Sequence, residues 1–238
     1  MPGMDGTGLL FEPLIAALPA SCPSSVLSYP LDEPLGYDEL LPLARKALPE
    51  DGPFVLVAES FSGPLALKIA AEAPAGLSGV VLSATFVKNP IWWAPRGLRH
   101  VVRATAFRFF ARFTQLKALL GGYGTPELQR LLRQANSLVS PAVLASRVRS
   151  ILAVNVVAEL RACSVPILYI RGTHDRVVPE QSLNLILRER PSVQVVRLAG
   201  PHLVLQVQAV AAARAIESFS LSAGPSNPSL QRTRYARR

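Results

Sequence analysis

The chain contains 238 residues, of which 50% are hydrophobic and 17% charged, and its mean hydropathy is +0.29. A chain that is disordered over most of its length is excluded, because such chains lack the apolar residues that form a core. A membrane-spanning helix is disfavoured, because Pro, Gly or a charged residue interrupts every run short of the ~20 apolar residues that a bilayer requires.

The net charge of +9 is unevenly distributed. Residues 1–60 contain nine acidic and two basic residues, whereas no acidic residue occurs from Ala73 to Pro126. The positive charge is therefore concentrated in the middle of the chain and in its last residues. A chain this basic invites a nucleic-acid-binding interpretation, but no recognition motif accompanies the charge, so no nucleic-acid partner is expected.

Short apolar stretches alternate with helical patterns along the chain. The predicted strands are Ser25–Tyr29, Phe54–Ala58, Val80–Ser83, Ile167–Ile170 and Val193–Leu198. The predicted helices are Thr7–Leu18, Tyr37–Leu48, Ser62–Ala73, Pro179–Arg188 and Leu203–Phe219. Continuous apolar strands are typical of a parallel sheet that helices cover on both faces. The alternation therefore predicts an α/β fold.

One connection interrupts this alternation. Val87–Ala162 contains only helical patterns, and a structureless loop of that length is implausible, so a helical insertion is predicted. Residues 222–238 lack an apolar period and are predicted to form a disordered basic tail. The predicted organisation is a core of residues 1–86 and 163–221, a helical cap of residues 87–162, and the tail.

A strand, a tight turn and a helix are predicted around Ser60. The sequence Ala58-Glu59-Ser60-Phe61-Ser62 approximates G-x-S-x-G, with other small residues in place of both glycines. Small flanking residues are needed because the turn is crowded by the strand and the helix. Ser62 is a competing nucleophile, but its own second small position would be Pro64, which suits a first helical turn. Ser60 is preferred, and helix capping is the alternative interpretation.

An acidic and a basic side chain follow two later strands. Asp175 comes after Ile167–Ile170, and His202 comes after Val193–Leu198, at the strand ends where open α/β sheets place their sites. Alone, each has a structural interpretation, as a turn aspartate or a surface histidine. With Ser60 they give the order Ser, Asp, His, in which a histidine accepts the serine proton and a carboxylate orients the histidine. The order predicts nucleophilic catalysis.

The first residues, Pro2–Gly8, form a glycine-rich loop that leads into a helix. A phosphate-binding loop is one interpretation, but the G-K-[ST] sequence of such loops is missing. The other interpretation is an oxyanion hole, in which backbone N–H groups stabilise a tetrahedral intermediate.

Four motifs together resemble the α/β-hydrolase superfamily. They are P-G-x-D-G-T-G at Pro2–Gly8, E-S-F-S-G at Glu59–Gly63, G-x-x-D-x-x-x-P at Gly172–Pro179 and the histidine loop at His202. The chain looks most similar to small bacterial serine esterases and, more distantly, to the esterase/acyltransferase group that includes plant phytyl ester synthases. The resemblance implies an α/β-hydrolase fold and a carboxylic ester hydrolase that works through an acyl-enzyme, with no metal or organic cofactor.

The resemblance also implies the roles of individual residues. It makes Ser60 the nucleophile, Asp175 the orienting acid, His202 the base, and the N–H groups of Met4 and Phe61 the oxyanion donors. The insertion would be a cap over the site. In this superfamily the glycine-rich loop follows a strand inside the sheet, and here no residues precede Pro2 except the initial methionine. An N-terminally truncated chain that lacks its first strands is therefore expected.

The insertion is basic and rich in aromatic residues. Leu98–Leu120 can form an apolar stripe with basic residues on other faces. A cap helix over the site is preferred, and peripheral contact with a lipid surface is the second interpretation. Trp92 and Trp93 are candidate substrate-binding residues, with core packing as the alternative. Cys22 and Cys163 lack a metal-binding spacing and are expected to be reduced thiols.

The expected partner is a small-molecule ester, and the absence of a recognisable secretory signal favours a cytoplasmic location. Two other functions remain open. An acyltransferase would use the same three residues with an alcohol in place of water. A non-catalytic ligand-binding protein would keep the fold without the chemistry, because fold alone does not fix function.

Overall fold

A computed structural model describes residues 1–91 and 118–223 of the chain. Within them, four parallel strands form one sheet in chain order. The strands are β1 (Phe54–Glu59), β2 (Leu77–Ser83), β3 (Ile167–Gly172) and β4 (Gln194–Leu198). Each of them coincides with a predicted strand to within three residues at either end.

Nine α-helices accompany the strands in the described residues. They are α1 (Glu12–Ala17), α2 (Tyr37–Lys46), α3 (Ser62–Ala71), α4 (Pro126–Leu138), α5 (Pro141–Ala153), α6 (Val157–Ala162), α7 (Glu180–Glu189), α8 (Val204–Val207) and α9 (Ala209–Ala223). A 3-10 turn at Leu9–Phe11 precedes α1.

The central strands β2 and β3 are buried on both faces, as their apolar residues predict, whereas the edge strand β4 is partly exposed. In β2, Val80 and Leu82 belong to one buried cluster and Val81 to another, because successive side chains of a strand point to opposite faces. The first cluster packs against α2, α3, α6 and α7, and the second against α1, α8 and α9. The predicted α/β architecture is therefore confirmed.

The helices α4 and α5 begin at clear sequence signals. Thr125 and Ser140 each cap a helix whose first residue is proline, and their hydroxyls accept hydrogen bonds from Leu128 N and Val143 N at 3.2 Å. Proline suits this position because its missing N–H would have no helical partner there. These caps fix where the two helices start within the predicted insertion.

The predicted strand at Ser25–Tyr29 is wrong. The segment is extended, but Tyr29 N donates to Gly6 O at 2.8 Å and Ser28 Oγ donates to Thr7 O at 3.2 Å, so its partner is the glycine-rich loop. The segment is therefore extended, as its composition suggests, but it bonds to a loop and does not pair with a strand of the sheet.

The last predicted helix also differs from the structure. Gln208 separates α8 from α9 because its backbone is not helical, and its side chain donates to Ala199 O at 2.7 Å. The helix α9 continues through Ser222 and Ala223, so the first two residues assigned to the tail are helical.

Helices α4, α5 and α6 agree with the helical character predicted for residues 87–162. Val154, Val156 and Leu160 nevertheless belong to the same buried cluster as the sheet. The boundaries of a separate cap stay a prediction, and most of Leu98–Leu120 lies outside the described residues. No helix in the described ranges is long and apolar enough to cross a membrane.

Gly172, at the end of β3, allows the loop after β4 to approach closely. A Cβ at this position would lie 2.1 Å from Pro201 O and 2.6 Å from Gly200 O. Both atoms are backbone, so the loop itself would have to move. Since His202 directly follows Pro201, this contact determines where the histidine loop sits.

We expect Gly172→Ala to destabilise the fold by about 1–3 kcal/mol, because the added methyl group overlaps backbone that cannot rotate away. Gly200→Ala is the matched control in the same loop, since its Cβ would meet only side chains, none closer than 3.4 Å. That variant should stay within about 0.5 kcal/mol of the wild type. Urea unfolding of the three proteins measures both values, and equal stability of the two variants would contradict the prediction.

Candidate active site

Ser60 lies on the sharp turn between β1 and α3. Its φ is 49°, a left-handed conformation that non-glycine residues rarely adopt and that costs about 1–3 kcal/mol. The turn is held because Ser60 N donates to Ser83 O at 2.8 Å and Thr85 Oγ1 donates to Ser60 O at 2.5 Å. At Gly63 a Cβ would lie 2.0 Å from Thr85 Oγ1, so only glycine allows α3 to start this close to Thr85.

The structure brings Ser60, His202 and Asp175 together. His202 Nε2 lies 3.0 Å from Ser60 Oγ, and His202 Nδ1 lies 3.0 Å from Asp175 Oδ2 and 3.1 Å from Asp175 Oδ1. His202 is 2% exposed, whereas Ser60 is half-buried. The three side chains come from loops at the carboxyl ends of β1, β3 and β4, which meet at one edge of a parallel sheet.

Asp175 is held as a buried carboxylate. Its Oδ1 accepts hydrogen bonds from Val177 N at 2.8 Å and from Val178 N at 3.0 Å. Burial by itself would raise the pKa of Asp175. The charge and hydrogen bond of His202, together with the two backbone donors, outweigh burial and lower that pKa below its ordinary value. The carboxyl therefore remains ionised opposite His202 Nδ1 at neutral pH.

The glycine-rich loop borders the serine. A Cβ built on Gly3 would lie 4.0 Å from Ser60 Cβ. Gly6 N donates to Gly3 O at 3.1 Å, which closes a tight turn over Met4 and Asp5. Within the described residues, the N–H groups of Met4 and Phe61 have no protein acceptor. Both groups are therefore available to an external acceptor.

Ser62 has a role that its sequence position did not indicate. Its hydroxyl donates to Pro2 O, and Tyr29 OH lies 2.5 Å from Ser62 Oγ. Since a hydroxyl has one proton, Tyr29 is the donor in the second bond. The residue that replaces the second glycine of the motif thus ties the glycine-rich loop to the turn. The hydroxyl itself, at a position where glycine is usual, is the signal that could have indicated this contact.

Glu59 is a second buried carboxyl beside the serine. It is 1% exposed, and Gln206 Nε2 donates to its Oε2 at 3.1 Å, while its Oε1 has no protein partner in the described structure. Burial raises the pKa of Glu59 to about 7, although the nearby His202 charge and the Gln206 hydrogen bond oppose the rise. The Glu59–Gln206 contact leaves no local signal in the sequence, because the two residues are 147 positions apart.

The other candidate residues lie elsewhere. His174 is exposed, and its Nδ1 lies 3.0 Å from Tyr123 OH and from Thr173 Oγ1. Trp92 and Trp93 fall outside the described residues. Cys22 and Cys163 are free thiols. Among residues 1–91 and 118–223, no group of three or more His, Cys, Asp or Glu side chains is arranged to hold a metal ion.

Comparison with protein families gives one match that covers most of the chain. A family model described as serine aminopeptidase, S33, matches residues 37–203, which include the serine turn, the aspartate loop and His202. No curated protein sequence matches the chain.

Several solved structures share this fold. The enol-lactonase from Burkholderia xenovorans LB400 matches with a TM-score of 0.70 and 19% identity, over 91% of this chain and 88% of that one. A hydrolase from Pseudomonas aeruginosa PA01 matches with a TM-score of 0.71 and 18% identity, over 91% of this chain and 86% of that one. A thermophilic esterase from Thermogutta terrifontis matches with a TM-score of 0.64 and 22% identity, over 79% of this chain and 72% of that one. At identities this low, the structural similarity shows only that the fold is shared. It confirms the predicted α/β-hydrolase fold class.

We expect Glu59→Gln to become more stable relative to wild type as the pH rises. The ordinary pKa of 4.5 is raised to about 7 on folding, so the stability that protonated Glu59 provides is complete below 4.5 and is lost as pH rises through 7. Glutamine keeps the shape and cannot ionise. The stability difference between variant and wild type should therefore grow by about 3 kcal/mol between pH 5 and 8.5.

Chemical unfolding across this pH range measures the difference, and the exposed Glu33→Gln is the control for loss of one negative charge. The comparison with wild type is needed because the buried Met1 amine, whose pKa burial lowers to about 5, adds a pH dependence of opposite sign. A difference that does not change with pH would contradict the assignment of a raised pKa to Glu59.

Proposed function

We propose that this chain, which belongs to the α/β-hydrolase family described as serine aminopeptidase, S33, hydrolyses carboxylic esters through an acyl-enzyme on Ser60. The observation that carries the proposal is the continuous line of contacts from Asp175 through His202 to Ser60 Oγ, each 3.0 Å long. A serine hydroxyl is a weak nucleophile until an adjacent base accepts its proton, and this line supplies the base and the group that orients it.

The first half of the reaction forms the acyl-enzyme. Ser60 Oγ attacks the ester carbonyl carbon while its proton passes to His202 Nε2. Asp175 holds the proton on Nδ1 and stabilises the imidazolium that forms. The N–H groups of Met4 and Phe61 donate to the oxyanion. His202 then gives its proton to the leaving alkoxide, and the alcohol departs.

The second half releases the acid. A water molecule gives a proton to His202 Nε2 and attacks the acyl carbon, forming a second tetrahedral intermediate in the same oxyanion hole. Its collapse breaks the bond to Ser60 Oγ, which recovers the proton from His202. The net reaction converts an ester and water into a carboxylic acid and an alcohol, and the protein returns to its starting protonation state.

Cleavage of an aminoacyl amide is a second candidate, which the description of the matched family favours. The same residues would act, but the leaving amine needs its proton from His202 before it can depart. An assay that offers nitrophenyl esters of increasing acyl length beside aminoacyl nitroanilides distinguishes the two substrates. Product analysis with an added long-chain alcohol tests the related acyltransferase function.

We expect a fluorophosphonate probe to label the wild type and to leave Ser60→Ala unlabelled. Ser62→Ala distinguishes the two candidate nucleophiles, because it should still be labelled, although more slowly. It should also lose about 1–3 kcal/mol of stability, since Pro2 O and Tyr29 OH lose their shared partner. Intact-protein mass spectrometry measures the labelling. Labelling of Ser60→Ala, or none of folded wild type, would count against the proposal.

We expect Asp175→Asn to reduce kcat for a nitrophenyl ester by about four orders of magnitude, because an amide stabilises the wrong tautomer of His202. Asp32→Asn, which removes one exposed carboxylate, is the control and should match the wild type. Steady-state kinetics at pH 7.5 provides the comparison. A loss smaller than tenfold in Asp175→Asn would show that this carboxylate does not orient the base.

A further inference from the structure

A buried arginine donates hydrogen bonds to the backbone carbonyls of the glycine-rich turn. Arg147, on α5, is 0% exposed, and its Nη1 donates to Met4 O at 2.8 Å and to Asp5 O at 2.9 Å. Its Nη2 donates to Pro30 O at 2.8 Å. The guanidinium packs directly on Gly6, where a Cβ would lie 2.5 Å from Nη1. One side chain therefore contacts three consecutive residues of the turn.

Arg147 also contacts the other half of the expected oxyanion hole. Its Cζ lies 6.0 Å from the ring centroid of Phe61 and 5.5 Å from that of Tyr29. The Phe61 ring is stacked on Tyr37 at 4.6 Å, which holds it against the guanidinium. Arg147 thus lies between the segment that carries Met4 and the residue that follows the serine.

The hydrogen bonds connect the guanidinium to the Met4 N–H through two peptide units. In a planar trans peptide the C=O and N–H groups point in opposite directions. Arg147 holds Asp5 O, which directs the Gly6 N–H of the same peptide unit toward Gly3 O. That bond holds Gly3 O, so the Met4 N–H, which belongs to the same peptide unit as Gly3 O, points away from the turn.

We infer that Arg147 is a positioning residue that sets the direction of the Met4 N–H for oxyanion stabilisation; this inference rests on the function proposed above. Buried carbonyls need donors, and only the arginine fork offers several N–H groups in one fixed plane. A shorter or apolar side chain would leave these carbonyls without partners. The turn would then relax, and an oxyanion donor that is misdirected loses much of its effect on the rate.

Arg190 provides a matched control. It also donates to three backbone carbonyls, those of Leu160, Cys163 and Val165, and like Arg147 it has a buried Nε that finds no partner among the described residues. Leu160 lies in α6, and Cys163 and Val165 lie between α6 and β3, so none of the three belongs to the serine turn, the glycine-rich loop or the histidine loop. Arg190→Met therefore removes a comparable set of bonds without touching the site.

The experiment compares Arg147→Met and Arg190→Met below their melting temperatures. Both should melt earlier than wild type. Only Arg147→Met should lose kcat for a nitrophenyl ester, by about 10- to 100-fold, with KM within about twofold. Its inhibition constant for a trifluoromethyl ketone, which forms a tetrahedral oxyanion on the serine, should rise by the same factor. If Arg147→Met does not fold, Arg147→Lys takes its place.

A merely structural arginine would lower the melting temperature and leave kcat and the inhibition constant unchanged, which would overturn the inference. Failure of the proposed function has a different signature, because wild type would then show no Ser60-dependent hydrolysis. In that case amide hydrogen exchange still tests whether Arg147 holds the glycine-rich turn in place. Exchange in residues 2–7 should rise in Arg147→Met and not in Arg190→Met, and equal exchange would overturn the positioning role.

Discussion

The left-handed backbone at Ser60 is the constraint on which the rest of the site depends. It turns the chain sharply from β1 into α3, so the side chain stands at the edge where the other strands also end. The conformation is unfavourable by itself, and it persists because β2, Thr85 and the absent side chain of Gly63 leave the turn no other arrangement. His202 and Asp175 then need only short loops to reach it.

The glycine-rich loop is the least regular part of the site and one of its most heavily bonded. Ser62, Tyr29 and Arg147 reach it from three different segments, and each bonds to backbone carbonyls. A loop without a ladder or a helix has to satisfy its buried polar groups in this way. Within the residues that the structure describes, such anchoring leaves the N–H groups of Met4 and Phe61 without a protein acceptor, as stabilisation of an anion would require.

The sequence predicted the features that local patterns encode. Four strands and the Ser60, Asp175 and His202 loops follow from apolar runs, small residues and turn residues that lie near one another in the chain. Ser25–Tyr29 was predicted wrongly because its composition suits a strand, whereas its neighbours in space decide otherwise. The contacts of Glu59 with Gln206 and of Arg147 with the loop join residues more than 140 positions apart, and no local pattern encodes them.

Arg147 has a consequence for how the chain can be divided into exchangeable modules. The residue lies inside the segment that composition assigns to an insertion, yet it completes a loop formed by the first residues of the chain. Exchange of the whole insertion with that of a relative would therefore remove part of the core. A transplant that aims to alter substrate choice would have to join the new segment before Pro141, the first residue of α5, so that the recipient keeps its own guanidinium.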